Sequence, residues 1–190
     1  LREAGATGQI LVLGGLGNAR EAGLAGEYGL TPVIHHAEGM ARAREAAEKS
    51  RGPLAVQLEV DTGMSRMGAG PEAAAALAEE IAGDAGLELA GTYTHFASAD
   101  STDPTAALEQ IRLFRGVLAE LGRRGIAPGM VHAANSSALL AGSEILEALP
   151  EATAVRPGLM LYGAKSAAHE DSGQRLRPVM IVQTRVAAVR

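Results

Sequence analysis

VHAANSSALL at residues 131–140 and VRPGLMLYG at residues 155–163 are the stretches on which the fold turns. Each reads as an apolar strand running into backbone suited to an anion. Asn135 and Ser136 stand where a helix begins and its first N–H groups are free, and Gly158 follows Pro157 where a side chain would obstruct close approach. Two neighbouring strands with such ends are the usual phosphate seat of a (β/α)8 barrel, whose functional loops gather at the C-terminal ends of its strands.

Working outward, the same alternation repeats along the chain. Residues 9–14 (QILVLG) read as a strand and 18–28 as a helix; the pairs 32–36 with 38–50, 54–60 with 71–82, 87–96 with 105–124 and 130–134 with 136–141 follow, and 155–162 closes the series. Apolar strands alternating with helices imply right-handed crossovers and a parallel sheet buried on both faces. The expected class is α/β, a partial TIM-type barrel with about six of its eight βα units. A doubly wound sheet fits the alternation too, but Gly14-Gly15-Leu16-Gly17 does not complete the G-x-G-x-x-G fingerprint. Residues 169–177 (HEDSGQRLR) read as a polar linker, and 178–186 have strand composition. The expected division is a partial barrel over 1–177 and the first strand of a C-terminal β domain over 178–190. The opening Leu1-Arg2-Glu3 reads as the tail of a helix, so a fragment of a longer protein is expected.

Composition narrows the function classes. Of 190 residues, 47% are hydrophobic but only 3% aromatic, which suits a core of Ala, Val, Leu and Ile packed between parallel strands and helices. A net charge of −5 with scattered Lys and Arg gives no basic stripe, so no nucleic-acid partner is expected. Without cysteine the chain has no disulfide, zinc-ribbon or thiol chemistry, in keeping with a cytoplasmic setting. No apolar run approaches the roughly 20 residues that cross a bilayer, so no membrane partner is expected.

Strand ends supply the candidate chemistry: Glu59 and Asp61 with the loop Thr62-Gly63-Met64-Ser65-Arg66, then His95, Asn135-Ser136, and Arg156-Pro157-Gly158. On a barrel these converge on one mouth. Arg156, partly buried at a strand end, requires a partner, either a ring nitrogen or carboxylate of a ligand or simply a neighbouring acid. His95 is either a satisfied core histidine or a hydrogen-bond partner of Arg156. Asn135 and Ser136 bind an anion or merely cap a helix; Gly158 and Leu159 offer backbone N–H groups or merely turn the chain. Arg66 can present its fork to a carboxylate or phenolate oxygen or lie in solvent, and Glu59 can orient it. His35, His36 and His132 read as packing or surface residues.

The motifs VQLEVDTGMSRMG (56–68), GTYTHFASAD (91–100), VHAANSSALL and VRPGLMLYG resemble, in order and spacing, those of alanine racemases. The similarity covers nearly the whole chain. It implies an isomerase that interconverts L- and D-alanine for the bacterial cell wall, a (β/α)8 barrel carrying pyridoxal 5′-phosphate, a β-rich C-terminal domain, and a homodimer whose subunits complete each other's sites. By motif position Arg156 would face the cofactor's pyridine nitrogen with His95 supporting it. Asn135, Ser136, Gly158 and Leu159 would hold the phosphate, and Arg66 would contact the phenolate oxygen and the carboxylate of a small amino-acid substrate.

The resemblance also implies two proton-moving groups, a cofactor-bearing lysine and a tyrosine from the partner's C-terminal domain. Neither Lys49 nor Lys165, and none of Tyr28, Tyr93 and Tyr162, matches their motifs, so the chain as given is expected to be inactive. Glu59 stands where most relatives place a lysine, often carbamylated and so anionic; a fixed carboxylate there would orient Arg66. Two rivals remain: a non-enzymatic cofactor-binding barrel, and a metal-dependent hydrolase built on His95, His132, Asp61 and Asp100, although paired histidine spacing is missing.

Overall fold

A computed structural model describes residues 1–170 and 172–188. Its frame is a sheet of six parallel strands, β1 (Leu11–Val12), β2 (Thr31–Ile34), β3 (Leu54–Val60), β4 (Leu87–Thr94), β5 (Met130–Asn135) and β6 (Ala154–Arg156). They pair in the order β1-β2-β3-β4-β5-β6, so every neighbour in sequence is a neighbour in space. A doubly wound sheet would reverse direction partway; steady progression in one direction is the winding of a (β/α) barrel.

Helices α1 (Ala19–Glu27), α2 (Ala37–Ala47), α3 (Pro71–Gly83) and α4 (Thr105–Arg123) connect the first five strands, and the short α5 (Ser136–Leu140) and α6 (Ser143–Glu147) lie between β5 and β6. The first three start for local reasons. The Asn18 side chain accepts the Glu21 N–H at α1, Nδ1 of His36 accepts the Gly39 N–H at α2, and Pro71 opens α3 with its φ already helical. Along α4 the buried positions Ala107, Ile111, Phe114, Leu118 and Leu121 recur every three or four residues, which places one apolar stripe on the sheet.

The strands sort their side chains by period two. Val56, Leu58 and Val60 of β3 join the aliphatic core beneath the helices, together with Ile34, Ala74, Ile81 and Phe114. Gln57 and Glu59, on the opposite face, are equally buried but polar. A register shift between Val56 and Gln57 skips Ala90, and Gly91 lies opposite: a Cβ there would sit 2.8 Å from the Gln57 amide nitrogen and 2.9 Å from the Met130 carbonyl oxygen. Only glycine lets the Gln57 side chain cross that space.

Several expectations are corrected. β1 is shorter than 9–14, because only two residues of it find ladder partners on β2. Residues 155–162 are not one strand: β6 ends at Arg156, since Pro157 has no N–H to donate, and residues Leu159–Tyr162 form a 3-10 turn. Residues 178–188 carry no strand, because they pair with no strand among the described residues; residues 189–190 lie outside the described set. His169, the first residue of the supposed linker, is buried and its Nε2 bonds the Ala99 carbonyl at 2.9 Å. No helix among the described residues is long and apolar enough to cross a membrane.

Candidate functional site

Arg156, the last residue of β6, enters the polar face of the sheet. Its Nη1 donates to Nδ1 of His132, and its Nη2 is shared among the Thr94 carbonyl at 2.8 Å, the Ala133 carbonyl at 3.2 Å and Nδ1 of His95 at 3.2 Å. The guanidinium lies 4.6 Å above the centre of the Tyr93 ring, and that ring stacks on His132 at 4.7 Å and 11°. Every partner is neutral, so no carboxylate cancels the charge.

The histidines around it are held as acceptors. Nε2 of His132 lies 2.8 Å from the Gln57 Oε1, which fixes the proton on Nε2 and leaves the Nδ1 lone pair for the arginine. Burial first, and the guanidinium second, push His132 down to about 3. His95 is lowered for the same two reasons, with Arg66 adding to them. Burial also lowers Arg156 itself, yet a guanidinium keeps its proton. Its Nε–H and one of the two Nη1–H groups have no partner among the described residues.

Beside Arg156 lie the residues expected to hold an anion. The buried Ser136 hydroxyl oxygen accepts the Gly158 N–H at 2.8 Å and the Met160 N–H at 3.3 Å, while Asn135 caps α5 by accepting the Ala138 N–H at 3.0 Å. The Ser136 O–H and the Leu159 N–H have no acceptor among the described residues. A Cβ on Gly158 would meet nothing nearer than the Ser136 Oγ at 4.0 Å, so the site is open on that side. Asn135 therefore caps, the Ser136 O–H and the Leu159 N–H are the uncommitted donors, and the Gly158 N–H is held by the Ser136 oxygen.

Glu59 is placed differently from expectation. It forms no hydrogen bond or ion pair with Arg66; its Oε2 accepts the Tyr93 hydroxyl at 2.9 Å and lies 3.1 Å from Nδ1 of His35. Period two explains this: Glu59 points into the polar face with Tyr93, whereas Arg66 sits on the loop beyond the strand, exposed. Burial alone would raise Glu59, but the His35 and Tyr93 contacts outweigh it and hold the carboxyl below its usual range. Tyr93 is driven well above its ordinary value by burial and by Glu59. Asp61 faces its own loop, accepting the Gly63 N–H at 2.9 Å and the Ser65 N–H at 3.0 Å.

The sequence signals for Arg156, His95, Ser136 and Gly158 point to groups that the structure brings together. Tyr93, Gln57, His132 and His35 complete the same cluster, although the first two were not singled out and the histidines read as packing residues. Gln57 and Glu59, two residues apart in the otherwise apolar LAVQLEV, were the available sign. The ligands of a metal hydrolase do not assemble: no group of three or more His, Asp or Glu suited to an ion gathers among the described residues.

Residues 1–166 match the family model described as alanine racemase, N-terminal domain. Among similar proteins, the alanine racemase of Desulfovibrio desulfuricans is 39% identical over 193 residues, covering 100% of this chain and 50% of that protein. That of Treponema denticola is 35% identical over 100% of this chain and 49% of its own length. Among solved structures, alanine racemase of Clostridium difficile in complex with cycloserine superposes with a TM-score of 0.82 at 25% identity, over 93% of this chain and 48% of that one. The Bacillus anthracis alanine racemase with bound L-Ala-P gives 0.79 at 30% identity, over 93% and 45%. The chain thus spans about half the length of the relatives it matches.

Proposed function

Since the chain belongs to the alanine racemase family, through the N-terminal domain of that family, we propose that it forms the cofactor-seating part of a pyridoxal 5′-phosphate-dependent enzyme that interconverts L- and D-alanine. The observation that carries this is Arg156, a half-buried cation whose neighbours are all neutral and whose Nε–H is uncommitted beside the free Ser136 O–H and Leu159 N–H. Such a donor set fits a flat aromatic nitrogen base bearing a phosphate. Ser136 through its hydroxyl and Leu159 through its N–H would hold the phosphate, with the Gly158 N–H joining them by leaving the Ser136 oxygen, and Arg156 would donate to the ring nitrogen.

When bound, pyridoxal phosphate supplies an electron sink for removal of the α-proton of an amino acid. Arg156 retains its own proton and so would hydrogen-bond the ring nitrogen without protonating it. His132 and His95, kept neutral, hold the guanidinium in plane while adding no positive charge. Exposed Arg66 is free to bind a substrate carboxylate. The L-Ala-P and cycloserine complexes of the two relatives support a small amino acid as substrate. A homodimer, a cytoplasmic setting and supply of D-alanine to the cell wall belong to the same reading.

Lys165 donates to the Glu170 carbonyl at 3.0 Å, and Lys49 packs against Gly23 of α1, so neither is at hand to move the α-proton. Calorimetric titration of the chain with pyridoxal phosphate tests the seat. Arg156→Ala and Ser136→Ala should each weaken binding by about tenfold or more, the loss of one good charged hydrogen bond. Binding of equal strength in both variants would overturn the assignment.

A further inference from the structure

His35 follows the end of β2 and lies buried between two acceptors. Its Nε2 is 3.0 Å from the Leu13 carbonyl oxygen, which can only accept, so that nitrogen carries a proton. Its Nδ1 is 3.1 Å from Oε2 of Glu59, off the line of a regular hydrogen bond, and has no other partner. A neutral His35 would set an Nδ1 lone pair against an ionised carboxylate in a buried site, which is costly. A second proton, held between ring and carboxyl, removes the conflict.

We propose that His35 is a positioning residue of this site, sharing a proton with Glu59 so that the pair anchors the Tyr93 hydroxyl and with it the ring beneath Arg156. Its relevance to the cofactor rests on the reading above; the protonation state does not. The groups facing the pair are Tyr93 from β4, through its hydroxyl, and His36, whose ring centre is 6.5 Å from that of His35, with His95 and Arg156 acting at longer range. Burial disfavours the Glu59 charge, and His35 is the neighbour that offsets this most.

Nitrogen-15 NMR of the cofactor-free chain reads the proton directly. At neutral pH His35 should show both ring nitrogens protonated or in exchange with the Glu59 carboxyl, and Glu59→Gln should return it to the neutral Nε2–H form. A neutral Nε2–H His35 beside a fully ionised Glu59 in the wild-type chain would overturn the proposal. His35→Asn should raise the carbon-13 titration of the Glu59 carboxyl, and an unmoved titration would also overturn it. Should either variant not fold, the wild-type nitrogen signals decide by themselves. Pyridoxal phosphate binding is titrated separately, so its failure with the His35 signature intact sinks only the cofactor assignment.

Discussion

His132 shows how one residue ties stability to pH. Its folded value of about 3 lies below the ordinary 6.5, so the unfolded chain takes up a proton that the folded chain refuses. The contribution is therefore whole above pH 6.5 and drains away as pH falls toward 3. His95, also lowered, drains in the same direction, and Glu59, lowered from 4.5, adds its loss at the acid end. The slope expected from His132 alone is on the order of 1 kcal/mol per pH unit in that window. Urea midpoints measured between pH 7 and 4 should fall steeply in the wild-type chain and more gently in His132→Gln, which cannot titrate; parallel curves would show that His132 is not the acid-sensitive group.

At the scale of elements, the loop after β3 is built by one side chain. Asp61 binds the Gly63 and Ser65 N–H groups, and Ser65 adopts φ 53, a left-handed conformation that a non-glycine residue holds only under local restraint. Asp61→Ala should release that restraint at a cost of about 1–2 kcal/mol, comparable to loss of a helix cap. Faster amide exchange confined to residues 62–67 checks it, and unchanged exchange would mean that the backbone holds itself. These elements also mark what a sequence can disclose. β3 and the starts of α3 and α4 were legible, because alternation, Pro71 and the α4 stripe are local signals. The short α6 was not, since five residues carry too little periodicity. The arginine-centred seat could be read from strand ends, but the partners of Arg156 could not. His132, Gln57 and Tyr93 meet only through the register of β3, β4 and β5, including the shift at Gly91, and register is a property of paired strands. For the same reason Glu59 was assigned to Arg66, its neighbour in sequence, rather than to Tyr93 across the ladder.

For the molecule as a whole, the open sheet matters more than any single side chain. β1 and β6 each pair on one side only, so both present unsatisfied edges among the described residues. Close to β6 lie exposed Leu159, Leu161 and Tyr162, and the segment after Pro178 exposes Ile181 at 81% and Val182 at 86%. Exposed apolar side chains on a chain that also carries free strand edges favour pairing between copies. Light scattering of the chain should therefore show concentration-dependent association, and Ile181→Lys with Val182→Glu should suppress it while far-UV circular dichroism stays unchanged. These substitutions leave the sheet edges intact, so association that persists in the double variant would assign the contact to the edges of β1 and β6 instead. Loss of association without loss of pyridoxal phosphate binding would separate the apolar segment from the seat around Arg156, as their places in the fold require.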